Sequence, residues 1–359
     1  MSGPVWFWTT TVFLFGICIG SFLNVVIYRL PLGISVAEPQ WSFCPNCRAR
    51  LTGLDLVPLF SFLLLGQKCR TCKQPISWRY FSVELLTGLL FAGLFVRFQN
   101  DVPTAVALLL FAALLIPIYF IDLATFTIPD SLNLSAFVVA VGRDLYGILR
   151  HESGYGLLWG WLPRSIAGAV VGVLIFGFIR FAGWLWKRQE AMGLGDVLLA
   201  RGMGAMLALL APAGANVLRL FPVWILLACL SGLIVGPALI FLRRRTQIEA
   251  IPGETDRGNP DTTGEEIESD DSSLGRELAA IGYCLILADA WELVRDLLRR
   301  EPPPAVVVAE PEDDWQPAPS AIPFGPFLVI GFLATVFCGE WLILLYLALA
   351  FPKPPMPPY

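Results

Sequence analysis

Two aspartates carry the chemistry open to this chain. Asp122 lies one residue past a long apolar run, and Asp196 closes the tetrapeptide Gly193-Leu194-Gly195-Asp196 where another run begins. A carboxylate at the edge of hydrocarbon is expensive to hold there, so it marks a functional site by default. Two carboxylates brought together cannot easily both ionise, and they share a proton. One then acts as general base on a water while the other protonates a leaving amine, which is the chemistry of an aspartic protease and needs no metal. Gly193 and Gly195 remove side chains just ahead of Asp196, permitting close backbone approach and tight helix packing. The plainer reading of Asp122 is an interfacial charge ending a span. For Asp196 it is an acidic residue favoured by the dipole of a helix N-terminus. Asp130, after Pro129, reads with Ser131 as the N-cap of the next helix.

A second constellation is made of sulfur. Of eight cysteines, four form Cys44-Pro-Asn-Cys47 and Cys69-Arg-Thr-Cys72, with 21 residues between the pairs. Each short turn presents two thiolates to one ion, the layout of a closed tetrahedral zinc site with no open position for catalysis. Neighbouring basic residues favour the thiolates. A loop of this size holds little core of its own, so one structural zinc would be a folding element. Two disulfides or a redox pair are the alternative. Cys18, Cys229, Cys284 and Cys338 are isolated and read as small apolar residues.

The elements that must position these groups are membrane spans. The chain has 359 residues, 56% hydrophobic and 15% charged, with a mean hydropathy of +0.67. That composition excludes an ordinary soluble domain. Eight runs are long enough to span a bilayer: 5–28, 80–98, 104–121, 132–150, 164–186, 196–213, 218–242 and 326–351. The fourth is the weakest, because Arg143 and Asp144 interrupt it. The loop 31–79 carries Arg48, Arg50, Lys68, Arg70, Lys73 and Arg79 against only Glu38 and Asp55. The bias of Lys and Arg to cytoplasmic loops therefore places this loop in the cytoplasm and the N-terminus outside. Counting spans from there puts both aspartates at the cytoplasmic face. It puts His151, the only histidine, on the other side, which disfavours a histidine-dependent triad.

The expected fold is an all-α polytopic membrane protein of about eight spans. Residues 1–30 form the first helix, 31–79 the four-cysteine domain, 80–245 a membrane core of helices 2 to 7, and 321–359 the last helix and tail. Between them, 246–320 is an acidic, Pro-rich cytoplasmic insertion whose partner the sequence does not name. Its stretch 276–300 has the period of an amphipathic helix. The acidic insertion would repel phosphate, so no nucleic-acid footprint is present.

Several stretches together resemble the bacterial type IV prepilin peptidases, a family of GxGD-type membrane aspartic proteases. They are Gly20-Ser-Phe-Leu-Asn-Val-Val-Ile-Tyr-Arg29-Leu-Pro31, the paired CxxC loop, Ile76-Ser-Trp-Arg-Tyr80 leading to Val83-Glu84-Leu85, Ile121-Asp122 with Ile128-Pro129-Asp130, Gly193-Leu-Gly-Asp196, and Ile322-Pro-Phe-Gly-Pro-Phe327. The resemblance implies cleavage of the short basic leader of prepilins and pseudopilins after a glycine, at the cytoplasmic side of the inner membrane. It implies Asp122 and Asp196 as the catalytic pair and Cys44, Cys47, Cys69 and Cys72 as zinc ligands. It also implies N-methylation of the new terminus with S-adenosylmethionine, assigned to the cytoplasmic N-terminal domain. The family commonly carries a lysine two residues after the second aspartate. Here that residue is Leu198, and Arg201 is the nearest cation that could stand in. Competing readings are a peptidase without methyl transfer, a proton-coupled transporter and a non-catalytic pilus or secretion assembly scaffold. A transporter would be expected to show repeated halves, and the sequence shows no internal repeat.

Overall fold

The apolar runs become helices, and their hydrogen-bonded backbones are what allow them to cross lipid. In the computed structural model, residues 4–152, 157–158, 162–187, 192–211, 216, 218–249, 282–283 and 322–350 are described. The helices are α1 (Val5–Arg29), the short α2 (Phe60–Leu64), α3 (Trp78–Phe98), α4 (Val102–Thr125), α5 (Asp130–Leu149), α6 (Arg164–Lys187), α7 (Leu194–Leu210), α8 (Phe221–Glu249) and α9 (Gly325–Ala350). Among the described residues, seven helices are long and apolar enough to cross a membrane. The remaining expected span, 196–213, is α7, which at 17 residues is about 26 Å long and sits at the short end of the spanning range. The largest boundary shift is at α8, which continues through the basic run after Phe241 to Glu249. Apart from residues 282–283, the insertion 246–320 and its amphipathic stretch lie outside the described residues beyond the end of α8.

Short connections join α3 to α4 and α4 to α5. Asp101 caps α4, accepting the Thr104 N–H at 3.1 Å and the Thr104 hydroxyl at 2.7 Å. The C-terminal end of α4 stops at Phe126, whose left-handed backbone (φ 58°) lets its N–H donate to the Asp122 carbonyl at 2.9 Å. Pro129 then occupies the cap position of α5, and Asp130 is the first helical residue. The sequence expectation placed the cap on Asp130 and Ser131. The proline takes that place because its extended backbone turns its carbonyl to accept the Leu132 and Asn133 N–H groups, at 3.1 and 3.2 Å. The ends of α1 and α4 and the starts of α3, α5, α7 and α9 thus gather at one end of the bundle, with the cysteine loop.

Helix α7 runs through the centre. Every residue from Asp196 to Leu209 is buried, Asp196 and Arg201 included, so the helix has no solvated face. It packs on α5 and α6. Gly168 and Gly172 of α6 face Gly204 and Ala200 of α7 so closely that a β-carbon on either α6 glycine would collide with the facing backbone carbonyl. Small residues here let two membrane helices approach by van der Waals contact. Gly16 and Gly20 of α1 play the same part against Gly88 and Glu84 of α3.

Arg143 and Asp144 do not interrupt α5, which runs on for 20 residues. Being adjacent on a helix they point to different neighbours. Arg143 donates to Thr104 Oγ1 at 3.0 Å and bridges Glu152 at 2.7 Å, which fastens α5 to the start of α4. Asp144 Oδ2 accepts the N–H and the hydroxyl of Ser165, both at 2.7 Å, which caps the start of α6.

Candidate active site

Asp122 and Asp196 come together at that one end of the bundle. Asp122 projects from the last turn of α4 and Asp196 from the first turn of α7. They are 4% and 9% exposed, respectively, and near enough to interact electrostatically. The Asp122 Oδ2 has no hydrogen-bond partner among the described residues. A buried, unpartnered carboxylate oxygen is the exception in folded proteins and is what an active-site acceptor looks like.

Three neighbours frame the pair. The turn after α4 brings Ile128 against the glycine-bearing first turns of α7 and α9. A β-carbon at Gly195 would lie 3.2 Å from Ile128 Cβ. Gly325, opening α9, sits against the same isoleucine, and a β-carbon there would collide with Asp122 Oδ2. The backbone N–H of Gly325 faces the Asp122 carboxyl, and that of Gly193 faces the Asp196 carboxyl. Gly193 itself is less crowded: its φ is −64°, and a β-carbon would find only Asp196 Oδ2, at 3.6 Å. Close approach therefore matters at Gly195 and Gly325 more than at Gly193.

Two side chains hold the Asp196 turn from outside. Asn133 Nδ2 of α5 donates to the Gly195 carbonyl at 3.3 Å. The buried Arg180 of α6 donates through Nη1 to the Met192 carbonyl at 2.6 Å. Sequence reasoning missed Asn133 and Arg180, whose only signal was polarity inside otherwise apolar spans. It held Gly325 only as part of the family stretch 322–327, without a role. Leu198 is buried in the core. Arg201 is buried as well, with its guanidinium 5.0 Å from the centre of the Phe137 ring. His151 caps the far end of α5, where its N–H reaches the Ile148 carbonyl.

The four cysteine sulfurs of the loop lie within 4.8 Å of one another. Cys44 and Cys72 are 3.9 Å apart, close to the roughly 3.8 Å edge of a tetrahedron with Zn–S bonds of about 2.3 Å. The cluster can hold a metal ion. Backbone N–H groups of Cys72 and Thr71 aimed at the Cys69 sulfur pull its thiol down to about 6, whereas at Cys72 a backbone bond from Gln74 is outweighed by burial and the neighbouring sulfurs, which push that thiol up to about 11. The loop contains an internal repeat that the sequence reading did not find. Cys44 N–H bonds the Ala49 carbonyl and Arg48 N–H the Cys44 carbonyl. Cys69 and Gln74, then Lys73 and Cys69, repeat this at constant offset. Arg48 and Lys73 both turn through positive φ, 56° and 60°. The repeat lies in backbone geometry, and only the cysteines and a basic residue after each second cysteine show it in sequence.

Fold and site together define a multi-pass helical membrane protein with a buried carboxylate pair and a four-thiol cluster at one end. Comparison with known proteins narrows that class. Residues 14–98 match the Bacterial Peptidase A24 N-terminal domain, and 108–237 match the Type IV leader peptidase family. The chain is 32% identical over 336 residues to a prepilin leader peptidase/N-methyltransferase of Myxococcus xanthus, covering 92% of this chain and 90% of that one. It is 35% identical to a protein of the same description in Aeromonas hydrophila, covering 70% and 87%. A third, in Klebsiella pneumoniae, is 37% identical, covering 56% and 85%. No solved structure matches the chain at a significant level. The chain belongs to the type IV leader peptidase family.

Proposed function

We propose that this chain is a prepilin leader peptidase and N-methyltransferase of the inner membrane, with Asp122 and Asp196 as its catalytic pair at the cytoplasmic face. The observation that carries the reading is the buried pair itself, framed by Gly325, Ile128 and Gly195, in a chain whose relatives bear that description. The basic loop 31–79 stands at the same end as the aspartates, which supports the cytoplasmic orientation.

The pair shares one proton and acts as a unit, so neither residue has a private role. The ionised carboxylate takes a proton from a water, whose oxygen attacks the scissile carbonyl carbon. The protonated partner gives its proton to the amide nitrogen as the C–N bond breaks. The products are the leader with a free carboxylate, ending in glycine, and a pilin with a free amine. Asn133 and Arg180 keep the Asp196 turn in place during these steps.

The four cysteines hold one structural zinc in this reading, which their convergence fits. S-adenosylmethionine, when bound, supplies the methyl group that the new amine accepts. That role belongs to the cysteine-bearing N-terminal region. The test is cleavage of a prepilin by Asp122→Asn and Asp196→Asn, each alone, with label from S-adenosylmethionine followed in parallel. Each variant should lose cleavage. Full activity in either removes the dyad, and cleavage without label in the mature pilin removes methyl transfer alone.

A further inference from the structure

Between the two cysteine hairpins the chain runs through a single 3₁₀ turn, Gly53–Leu56, and then α2. This segment is strongly apolar, yet most of it is uncovered. Leu54 is 73% and Leu64 84% exposed, and Phe60 and Leu63 are exposed beside them. Apolar side chains clustered this way on a loop mark an interaction surface.

The segment does not stand clear of the bundle. The Leu59 N–H donates to Glu84 Oε2 at 2.7 Å, and Phe62 packs on the rings of Trp78 and Phe81 at 5.1 and 5.4 Å. Glu84 lies six residues into α3 from Trp78, about 9 Å down the helix axis at ~1.5 Å per residue. The start of α2 therefore doubles back along the first turns of a membrane span. Interfacial helices bury their apolar face to a similar depth, roughly 5–10 Å below the headgroups. Exposed apolar side chains also recur on α3, with only Ser82, whose hydroxyl is turned onto the Trp78 carbonyl at 2.9 Å, between them. Trp78 is exposed, as tryptophan is at the headgroup level, and Leu86 and Leu89 continue the exposed apolar surface along α3. The one acid in the segment, Asp55, is neutralised by Arg70 at 2.8 Å. Lys68 and Lys73 are exposed nearby, suiting an anionic lipid surface.

We propose that residues 53–65 form an interfacial membrane anchor, with Leu54, Phe60, Leu63 and Leu64 seated in the headgroup–acyl boundary of the leaflet beside the four-cysteine cluster. The occupant of this surface is lipid. The consequence is a four-cysteine domain held down on the bilayer, with Glu84 as the hydrogen-bonded post that sets its height.

The test places a diazirine amino acid at Leu64 in the full chain, in vesicles of phosphatidylethanolamine and phosphatidylglycerol, without substrate. Photolysis should give a phospholipid adduct at a yield comparable to the same probe at Leu233, exposed on α8. The probe at Asn46, exposed on the first cysteine hairpin, should give at least tenfold less. Water-quenched product alone at Leu64 overturns the proposal, as does crosslinking to a second copy of the chain or, when prepilin is added, to prepilin in place of lipid. The readout needs no cleavage, so it stands or falls independently of the peptidase reading.

Discussion

Gly325 sits so close to Asp122 that a β-carbon on it would overlap the Oδ2 atom. The first turn of the last helix is therefore a wall of the carboxylate site, although about 200 residues of chain separate the two. Gly325→Ala should displace the Asp122 carboxyl. Misplacement of a reacting group by about 1 Å can reduce rate ~100-fold, and a loss of that order is expected in prepilin cleavage. Alanine suits a helix better than glycine, so the thermal midpoint should not fall with it. Gly193→Ala, with only an ordinary contact to Asp196 Oδ2 at 3.6 Å and a negative φ, should stay near wild type, and Gly195→Ala should fall between. Equal losses at all three would show that the steric ordering does not govern activity.

Arg180 and Asn133 hold the Asp196 turn by donating to backbone carbonyls, at Met192 and Gly195. They are positioning residues. Arg180→Met removes a charged donor worth about 1.5–3 kcal/mol, and Asn133→Ala a neutral one worth ~1 kcal/mol. Cleavage should drop more in the first than in the second. The signature of positioning is a fall in kcat with KM unchanged and partial rescue by Arg180→Lys. A rise in KM with kcat intact would instead assign these side chains to substrate binding.

How much of this was legible in the sequence differs by level. The spans were legible because lipid demands continuous apolar runs, and the run 196–213 was readable even though α7 has no polar face. The meeting of Asp122 and Asp196 was legible as a shared membrane side and, through the family motifs, as an implied catalytic pair. Their framing by Ile128 and Gly325 depends on α9 packing beside α4, which no local pattern encodes. Arg143 and Asp144 looked like a flaw in a span because sequence shows their charge and not their partners. Each proves to be the tie to another helix start. Residues 53–65 read as part of a small loop domain, since their depth is set by one long-range bond from Leu59 to Glu84.

Asp144 offers a stability test free of the active site. Its Oδ2 satisfies both the backbone N–H and the hydroxyl of Ser165 at the start of α6, in a buried setting. Asp144→Ala leaves both donors without that acceptor, a loss of about 1–3 kcal/mol by capping and buried hydrogen-bond values. Ser165→Ala keeps the backbone bond and should lose less. Thermal unfolding in detergent should rank wild type above Ser165→Ala above Asp144→Ala, with cleavage at low temperature unchanged in all three. An Asp144→Ala protein as stable as wild type would mean the cap is not what holds α6.

The repeated cysteine hairpins predict equivalence of the two CxxC pairs. Each hairpin contributes the same backbone bonds and two sulfurs to one cluster, so Cys44→Ser and Cys69→Ser should lower bound zinc equally from about one per chain. The loop is inserted between α1 and α3, which pack directly on each other through Gly16, Gly20 and Gly88. That packing does not pass through the metal cluster. Loss of metal should therefore unfold the loop while sparing the helices that bear Asp122 and Asp196. Methyl transfer should fall with zinc content, measured by elemental analysis, and leader cleavage should fall less. A parallel collapse of both activities would show that the four-cysteine domain forms part of the peptidase site itself.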